Sequence, residues 1–237
     1  MKKHISVFRL MARSTIYKLL ALFGLMGVVE WSLFYARLKQ SATGDRFHLE
    51  LVIEESHISL VFGIAFILVT ILLTSTGHET STKLGYTLKR LSISERWVCF
   101  WQIIYNIICY SIFWCVQILI VFLFCKMYEQ MAPVEYVTNQ TVFLAFYRSD
   151  FLHSLLPMEN AFFWTRNIVM LLALSICSAQ YPMELRKGGK GREMIVLMIV
   201  CNTCFIGELG EIFTVMIILG VCIICMLTTT FRIFQKE

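Results

Sequence analysis

The sequence predicts an all-α integral membrane protein with six transmembrane helices. Hydrophobic residues make up 58% of its 237 residues and charged residues 16%, a balance outside that of soluble domains. Most of the apolar blocks approach about 20 residues, the length that crosses the ~30 Å hydrocarbon core of a bilayer. The remaining segments are short, so residues 1–237 are expected to form a single transmembrane domain. The predicted spans are residues 18–37, 57–76, 97–125, 162–181, 193–207 and 211–231.

Positive charge alternates between rich and poor segments along the chain. Together with Lys18 and Glu193 at the adjoining span borders, the N-terminus, residues 77–96, residues 182–192 and the C-terminus carry 15 of the 21 Lys and Arg residues but 5 of the 16 Asp and Glu residues. Because cytoplasmic loops hold an excess of Lys and Arg, this predicts a multi-pass protein of the cell membrane with both termini cytoplasmic. The basic residues behind the net charge of +5 lie at span ends, where anionic lipid headgroups attract them. The expected surroundings are therefore a lipid bilayer and not nucleic acid.

Residues 1–17 have a helical pattern of their own. Basic and polar residues form one stripe and apolar residues the opposite one: Lys2, Ser6, Arg9 and Arg13 against Ile5, Phe8, Met11 and Ala12. This pattern predicts an interfacial amphipathic helix that lies on the cytoplasmic leaflet and enters the first span. The alternative is a frayed basic tail.

Two groups of residues have the types that bind metals. The pairs Cys201 with Cys204 and Cys222 with Cys225 have a zinc-ribbon-like spacing, but they lie in apolar spans, where zinc thiolates would bring net charge into hydrocarbon. Packing of small side chains is the favoured interpretation. Solvated loop charge explains the second group equally well: Asp45, His48, Glu50, Glu54, Glu55 and His57. The sequence therefore predicts no metal site.

Catalytic motifs are incomplete in this sequence. The run Gly-Gly-Lys-Gly at 188–191 lacks the first glycine of a phosphate-binding G-x-x-x-x-G-K loop. The Gly-His-Glu at 77–79 begins like a zinc-protease helix, but Thr82 stands where the second His is required. We therefore expect no enzyme activity and no cofactor on this chain.

Four polar side chains stand inside the predicted spans, where such residues are costly. They are Glu30, Asn106, Gln117 and Asn202. Each is a candidate for lining a solute path. The alternative is hydrogen bonding between helices, or, for Glu30, reaching toward water at the nearer membrane surface.

The 77–96 loop predicts a short helix of its own. Leu84, Leu88 and Leu91 recur at i, i+4 and i+7 and so share one face, and Lys83 and Arg90 flank it. A short helix with one apolar face and basic edges suits docking into a groove on a partner. The alternative is an interfacial helix that merely turns the chain.

This loop resembles the first cytoplasmic loop of the ABC-2 family of ABC-transporter permeases. Glu79 matches the acidic residue that opens the family's coupling helix, residues 86–91 match its leucine-rich stretch, and residues 92–94 match its terminal element, with Ser92 in place of the usual proline. The resemblance implies a short cytoplasmic coupling helix and a permease subunit, in the family often an exporter. It implies pairing with a second permease copy or a related permease, and docking on cytoplasmic ABC ATP-binding subunits that hold ATP and Mg. The implied coupling residues are Glu79, Lys83, Leu84, Leu88, Arg90 and Leu91.

Two other classes of function remain open from the sequence. One is an intramembrane, protease-like enzyme that would use Glu208 and Glu211 as its carboxylates. The other is an ion-coupled transporter or channel that would use Glu30.

Overall fold

The computed structural model describes residues 2–41, 48–78, 94–133, 137–138, 140–158, 161–186, 188, 191–207 and 212–234. Within these ranges the chain is helical and has no strand. The helices are α1 (Lys2–Ser41), α2 (Leu49–Glu55), α3 (Ile58–His78), α4 (Glu95–Met131), α5 (Thr141–Arg148), α6 (Asp150–Leu155), α7 (Ala161–Arg186), α8 (Arg192–Ile206) and α9 (Ile212–Phe234).

Five of the described helices are long and apolar enough to cross a membrane, which makes the chain a multi-pass membrane protein and confirms the all-α class. The candidate spans are Met11–Ser41, Ile58–Ser75, Arg96–Met131, Ala161–Leu185 and Ile212–Phe231. The predicted span at 193–207 corresponds to α8, which has 15 residues. At the helical rise per residue α8 is about 22 Å long, shorter than the ~30 Å hydrocarbon core.

The expected interfacial segment and the first span form one continuous helix, α1. The sequence from Lys2 to Phe23 contains neither proline nor glycine, so nothing in it interrupts helix propagation. The apolar stripe of the segment packs against protein, since Met11 is buried and the Phe8 ring lies 5.7 Å from that of Tyr105 on α4.

Helices α1 and α4 run parallel along one seam. Phe23 packs against Phe113 with ring centroids 5.7 Å apart, and Phe34 stacks on Phe124 at 4.5 Å. Both helices are far longer than a bilayer requires, at about 60 Å for α1 and about 55 Å for α4. The small helices α2, α5 and α6 pack near the C-terminal ends of α1 and α4, as the contact of Phe122 on α4 with Phe146 on α5 illustrates. We call these three helices the cap.

Helices α7 and α9 are also parallel. Phe163 and Val215 pack together near their first turns, whereas Cys177 Sγ lies 3.7 Å from Thr229 Oγ1 toward their last turns. Helix α8 therefore returns the chain between them. A series of contacts places the start of α1 and the end of α9 at one end of the bundle: Thr15 with Tyr105, Asn106 with Ser178, and Cys177 with Thr229. We call this the terminal end.

Two glycines allow α8 to lie where it does. Gly191, just before α8, has φ +53°, and a Cβ there would lie 2.5 Å from the ring of Tyr181, so only glycine fits the turn. A Cβ at Gly63 of α3 would collide with Ile206 and lie 3.0 Å from Asn202 Oδ1. The absent side chain at Gly63 therefore permits close packing of α3 on α8.

Candidate functional site

The end of α8 meets the end of α6 inside the protein. The last carbonyl groups of a helix have no partner within it, and hydrocarbon offers no water to satisfy them. Ser154 Oγ donates a 2.6 Å hydrogen bond to the carbonyl oxygen of Phe205 on α8. Ser154 is fully buried, so α6 caps α8 from within the bundle.

The last carbonyl groups of α6 likewise accept hydrogen bonds from neighbouring helices. Asn167 Nδ2 on α7 donates to the carbonyl oxygen of Ser154 at 2.9 Å. Trp114 Nε1 on α4 donates to the carbonyl oxygen of Leu155 at 3.1 Å. Three helices thus supply the polar groups that allow two short helices to end at this depth.

Arg166 is the charged residue of this junction and is 1% exposed. Its Nε and Nη2 atoms donate to Asn167 Oδ1 at 3.1 and 2.9 Å. The thiols of Cys201 and Cys204 on α8 are also within its electrostatic reach. Because helix C-termini carry partial negative charge, the ends of α6 and α8 favour a cation here. We call Arg166, Asn167, Ser154 and the Phe205 carbonyl the arginine junction.

Sequence reasoning missed Arg166 and counted it with the span borders. The available signal was an arginine five residues into a helix whose apolar character continues to Leu185. A charge inside a span usually faces the protein interior and marks a functional position.

Glu30 and Gln117 form the second buried polar contact, in the seam between α1 and α4. Gln117 Nε2 donates a 3.0 Å hydrogen bond to Glu30 Oε2, and both side chains are 0% exposed. Among the described residues, neither Glu30 Oε1 nor Gln117 Oε1 has a hydrogen-bond partner. The aromatic pairs Phe23–Phe113 and Phe34–Phe124 of the same seam lie on either side of this contact.

The two other polar residues singled out in the spans lie in different contacts. Asn106 accepts from Gln102 Nε2 at 2.9 Å and donates to Ser178 Oγ on α7 at 2.8 Å. Asn202 is half-buried against Gly63. Of the four candidates, only Glu30 and Gln117 are hydrogen-bonded to each other.

Helices α5 and α6 line a half-open apolar pocket of about 350 Å³ at the cap. The ring of His153 packs edge-on against that of Tyr147 at 6.0 Å in this lining. Phe143, Leu144, Phe146 and Met158 supply the rest of its walls. A cavity of this size and character accommodates a hydrocarbon group.

The acidic residues of the cap are paired or close together. Arg148 Nη1 lies 3.1 Å from Glu50 Oε1 and forms an ion pair with it. Partial burial, followed by the nearby charges of Asp150 and Glu50, raises the pKa of Glu54 above its usual value. Across the described ranges, no three His, Cys, Asp or Glu residues are arranged to hold a metal ion.

The coupling residues expected from the sequence lie outside the described residues. These are Glu79, Lys83, Leu84, Leu88, Arg90 and Leu91. Glu208 and Glu211, the carboxylates of the enzyme alternative, also lie outside them.

Comparisons with protein-family models, with curated proteins and with solved structures find no match for this chain.

Proposed function

We propose that this chain is the membrane subunit of an ATP-driven transporter of the ABC-2 type, and that the transporter is an exporter. It would pair with a second copy or a related permease and dock on separate cytoplasmic ABC ATP-binding subunits through the 77–96 loop. ATP and Mg would be held by those partners, since this sequence contains no phosphate-binding loop.

The observation that carries the proposal is the position of the two helices that the 77–96 loop connects. It joins the candidate spans of α3 and α4, and α4 begins beside Phe8, whose ring lies 6.2 Å from that of Trp101. The start of α4 therefore lies at the terminal end, which also holds Thr229 near the end of α9. Its leucine stripe and basic edges suit a docking helix at that end.

The proposal includes six crossings with both termini in the cytoplasm. The parallel course of α7 and α9 supports it, because α8 has to return the chain between them. The excess of Lys and Arg in the segments at the terminal end supports the cytoplasmic side. In this arrangement, closure of the ATP-binding subunits would move the two 77–96 loops of a dimer together and reorient the spans.

The test compares two aspartate substitutions in the loop. Leu88→Asp would place an unpaired carboxylate in an apolar docking groove, at a cost on the order of 1–3 kcal/mol. Thr82→Asp adds the same charge on the side of the predicted helix opposite the leucine stripe. Both variants should insert at wild-type abundance. We expect only Leu88→Asp to lose co-purification with the ABC ATP-binding subunit and the ATP hydrolysis of the complex.

Two results would contradict the proposal. One is ATP hydrolysis by the purified chain alone after contaminants are excluded. The other is that Leu88→Asp and wild type purify without any ABC ATP-binding subunit from their own membranes.

A further inference from the structure

The seam between α1 and α4 contains two buried oxygen atoms that both lack a hydrogen-bond donor among the described residues. Glu30 Oε1 and Gln117 Oε1 belong to the two partners of one hydrogen bond, that from Gln117 Nε2 to Glu30 Oε2. Both oxygens are buried and neither has a donor among the described residues. An ionised carboxylate and an amide oxygen are both acceptors only, so without a further hydrogen this pair leaves two buried acceptors unmet.

One proton satisfies both atoms. A carboxyl group protonated on Oε1 becomes a donor, and an amide presents one N–H donor and one oxygen acceptor on the same face. A proton on Glu30 Oε1 would thus make it a donor for an amide oxygen such as Gln117 Oε1, while Oε2 keeps the observed bond from Gln117 Nε2.

Among the described residues, none carries a charge that stabilises the ionised form of Glu30. The helices packed against α1 are α2, α3 and α4. The described side chains of α3 from Ile58 to Ser75 include no ionisable group. The described ionisable groups of the other two helices form no hydrogen bond or ion pair with Glu30: Glu50, Glu54 and Glu55 on α2, and Arg96, Cys99, Tyr105, Cys109, Tyr110, Cys115, Cys125, Lys126, Tyr128 and Glu129 on α4.

We infer that Glu30 and Gln117 form a proton-binding site, in which Glu30 is a neutral carboxylic acid that bridges α1 and α4. A buried charge without a partner is unfavourable in a membrane interior, so release of the proton from Glu30 weakens the packing of α1 on α4. Conversely, this packing favours the protonated form of Glu30. This inference does not depend on the proposed transport function.

Infrared difference spectroscopy tests the protonation state directly. In detergent at neutral pH, wild type minus Glu30→Gln should show the carbonyl stretch of a protonated carboxyl group. Gln117→Leu should shift that band to higher frequency, because the carbonyl loses its hydrogen bond. The matched control is Glu129→Gln, at an exposed glutamate of α4, which should leave the protonated-carboxyl band in place. Loss of a carboxylate band in the Glu30→Gln difference would overturn the inference.

The dependence of stability on pH provides a second readout. A group that is protonated in the folded protein stabilises it at low pH, and this contribution is lost as pH rises and the group ionises. The thermal midpoint of wild type should therefore fall at alkaline pH. That of Glu30→Gln should fall less, because an amide keeps both hydrogen bonds without titrating. Equal pH profiles for the two proteins would contradict the inference, as would stabilisation of wild type by sodium that Glu30→Gln abolishes, because the site would then hold a metal cation.

Discussion

Ser154 Oγ lies 2.6 Å from the carbonyl oxygen of Phe205 and donates to it, and this contact joins the ends of α6 and α8. Ser154 also donates to the carbonyl oxygen of Phe151 at 2.9 Å, and its own carbonyl accepts from Asn167. Ser154 thus joins α6 to α8 through its hydroxyl group and to α7 through its backbone carbonyl group. The hydroxyl group satisfies one of the last carbonyl groups of a helix that is too short to cross the bilayer.

Removal of this hydroxyl group should destabilise the protein. Ser154→Ala leaves the Phe205 carbonyl buried without its donor, which costs about 1–3 kcal/mol. The thermal midpoint in detergent measures the effect. Ser32→Ala is the control, since Ser32 is exposed and bonds only to a carbonyl of its own helix. A midpoint for Ser154→Ala equal to that of Ser32→Ala would show that the contact does not support the end of α8.

Arginine substitutions should separate the buried junction from the exposed surface. Arg166→Ala removes two hydrogen bonds to Asn167 and leaves a cavity, with an expected loss of about 2–5 kcal/mol. Arg148→Ala removes the exposed ion pair with Glu50, which is worth about 0–1 kcal/mol. The thermal midpoint and the abundance of the protein in the membrane should fall clearly only for Arg166→Ala. Comparable losses in the two variants would argue against a special role for the arginine junction.

A methyl group at Gly63 should disturb the packing of α3 on α8. It would collide with Ile206 and press on Asn202, and such overpacking costs about 1–3 kcal/mol. Gly220→Ala on α9 is the matched control, because a Cβ there meets nothing within 4 Å and alanine favours a helix by about 0.5–1 kcal/mol. Thermal midpoints should move in opposite directions. If Gly63→Ala is as stable as Gly220→Ala, the close approach is not a constraint.

The turn between α2 and α3 should tolerate glycine better than its native residue. His57 is exposed and has φ +55°, a conformation that is strained for a side chain with a Cβ. His57→Gly should raise stability by about 0.5–1 kcal/mol, the relieved strain less the added freedom of the unfolded chain. His57→Ala keeps the Cβ and should bring no such gain. Thermal unfolding of the two variants decides, and equal midpoints would contradict the argument.

Thiol labelling should report the sidedness of the loops. In a background without native cysteines, Gly44→Cys and Pro133→Cys should react with a membrane-impermeant reagent in intact cells. Gly85→Cys and Gly189→Cys should react only after permeabilisation, because the excess of basic residues predicts that their loops face the cytoplasm. Labelling of Gly189→Cys in intact cells would rule out the six-crossing arrangement.

The long helices could be predicted because their apolar runs are sufficient to identify them. Their limits were less predictable. The third predicted span ended at Cys125, where Lys126 and Glu129 interrupt the apolar run, whereas α4 continues to Met131. Tyr128 is fully buried in this extension, so packing against other elements sustains the helix after the hydropathy has fallen.

The sequence identified Glu30 and Gln117 as candidate residues, but it did not predict which side chains they contact. Glu30 and Gln117 stood out as polar groups in apolar runs, yet their pairing across 87 residues depends on the parallel course of α1 and α4. Arg166 lies near the start of α7, and its burial follows from the ends of α6 and α8 that surround it. Those ends are set by tertiary hydrogen bonds, which no local pattern in the sequence records.

The shortness of α8 has a consequence for biosynthesis. A segment of 15 residues is shorter than the roughly 20 apolar residues that a nascent helix needs to span the bilayer by itself. Its capping serine, Ser154, is synthesised before α8, and α9 follows α8 in the chain. We therefore expect α8 to remain only partly inserted until α9 is synthesised, and the two helices to enter the membrane together.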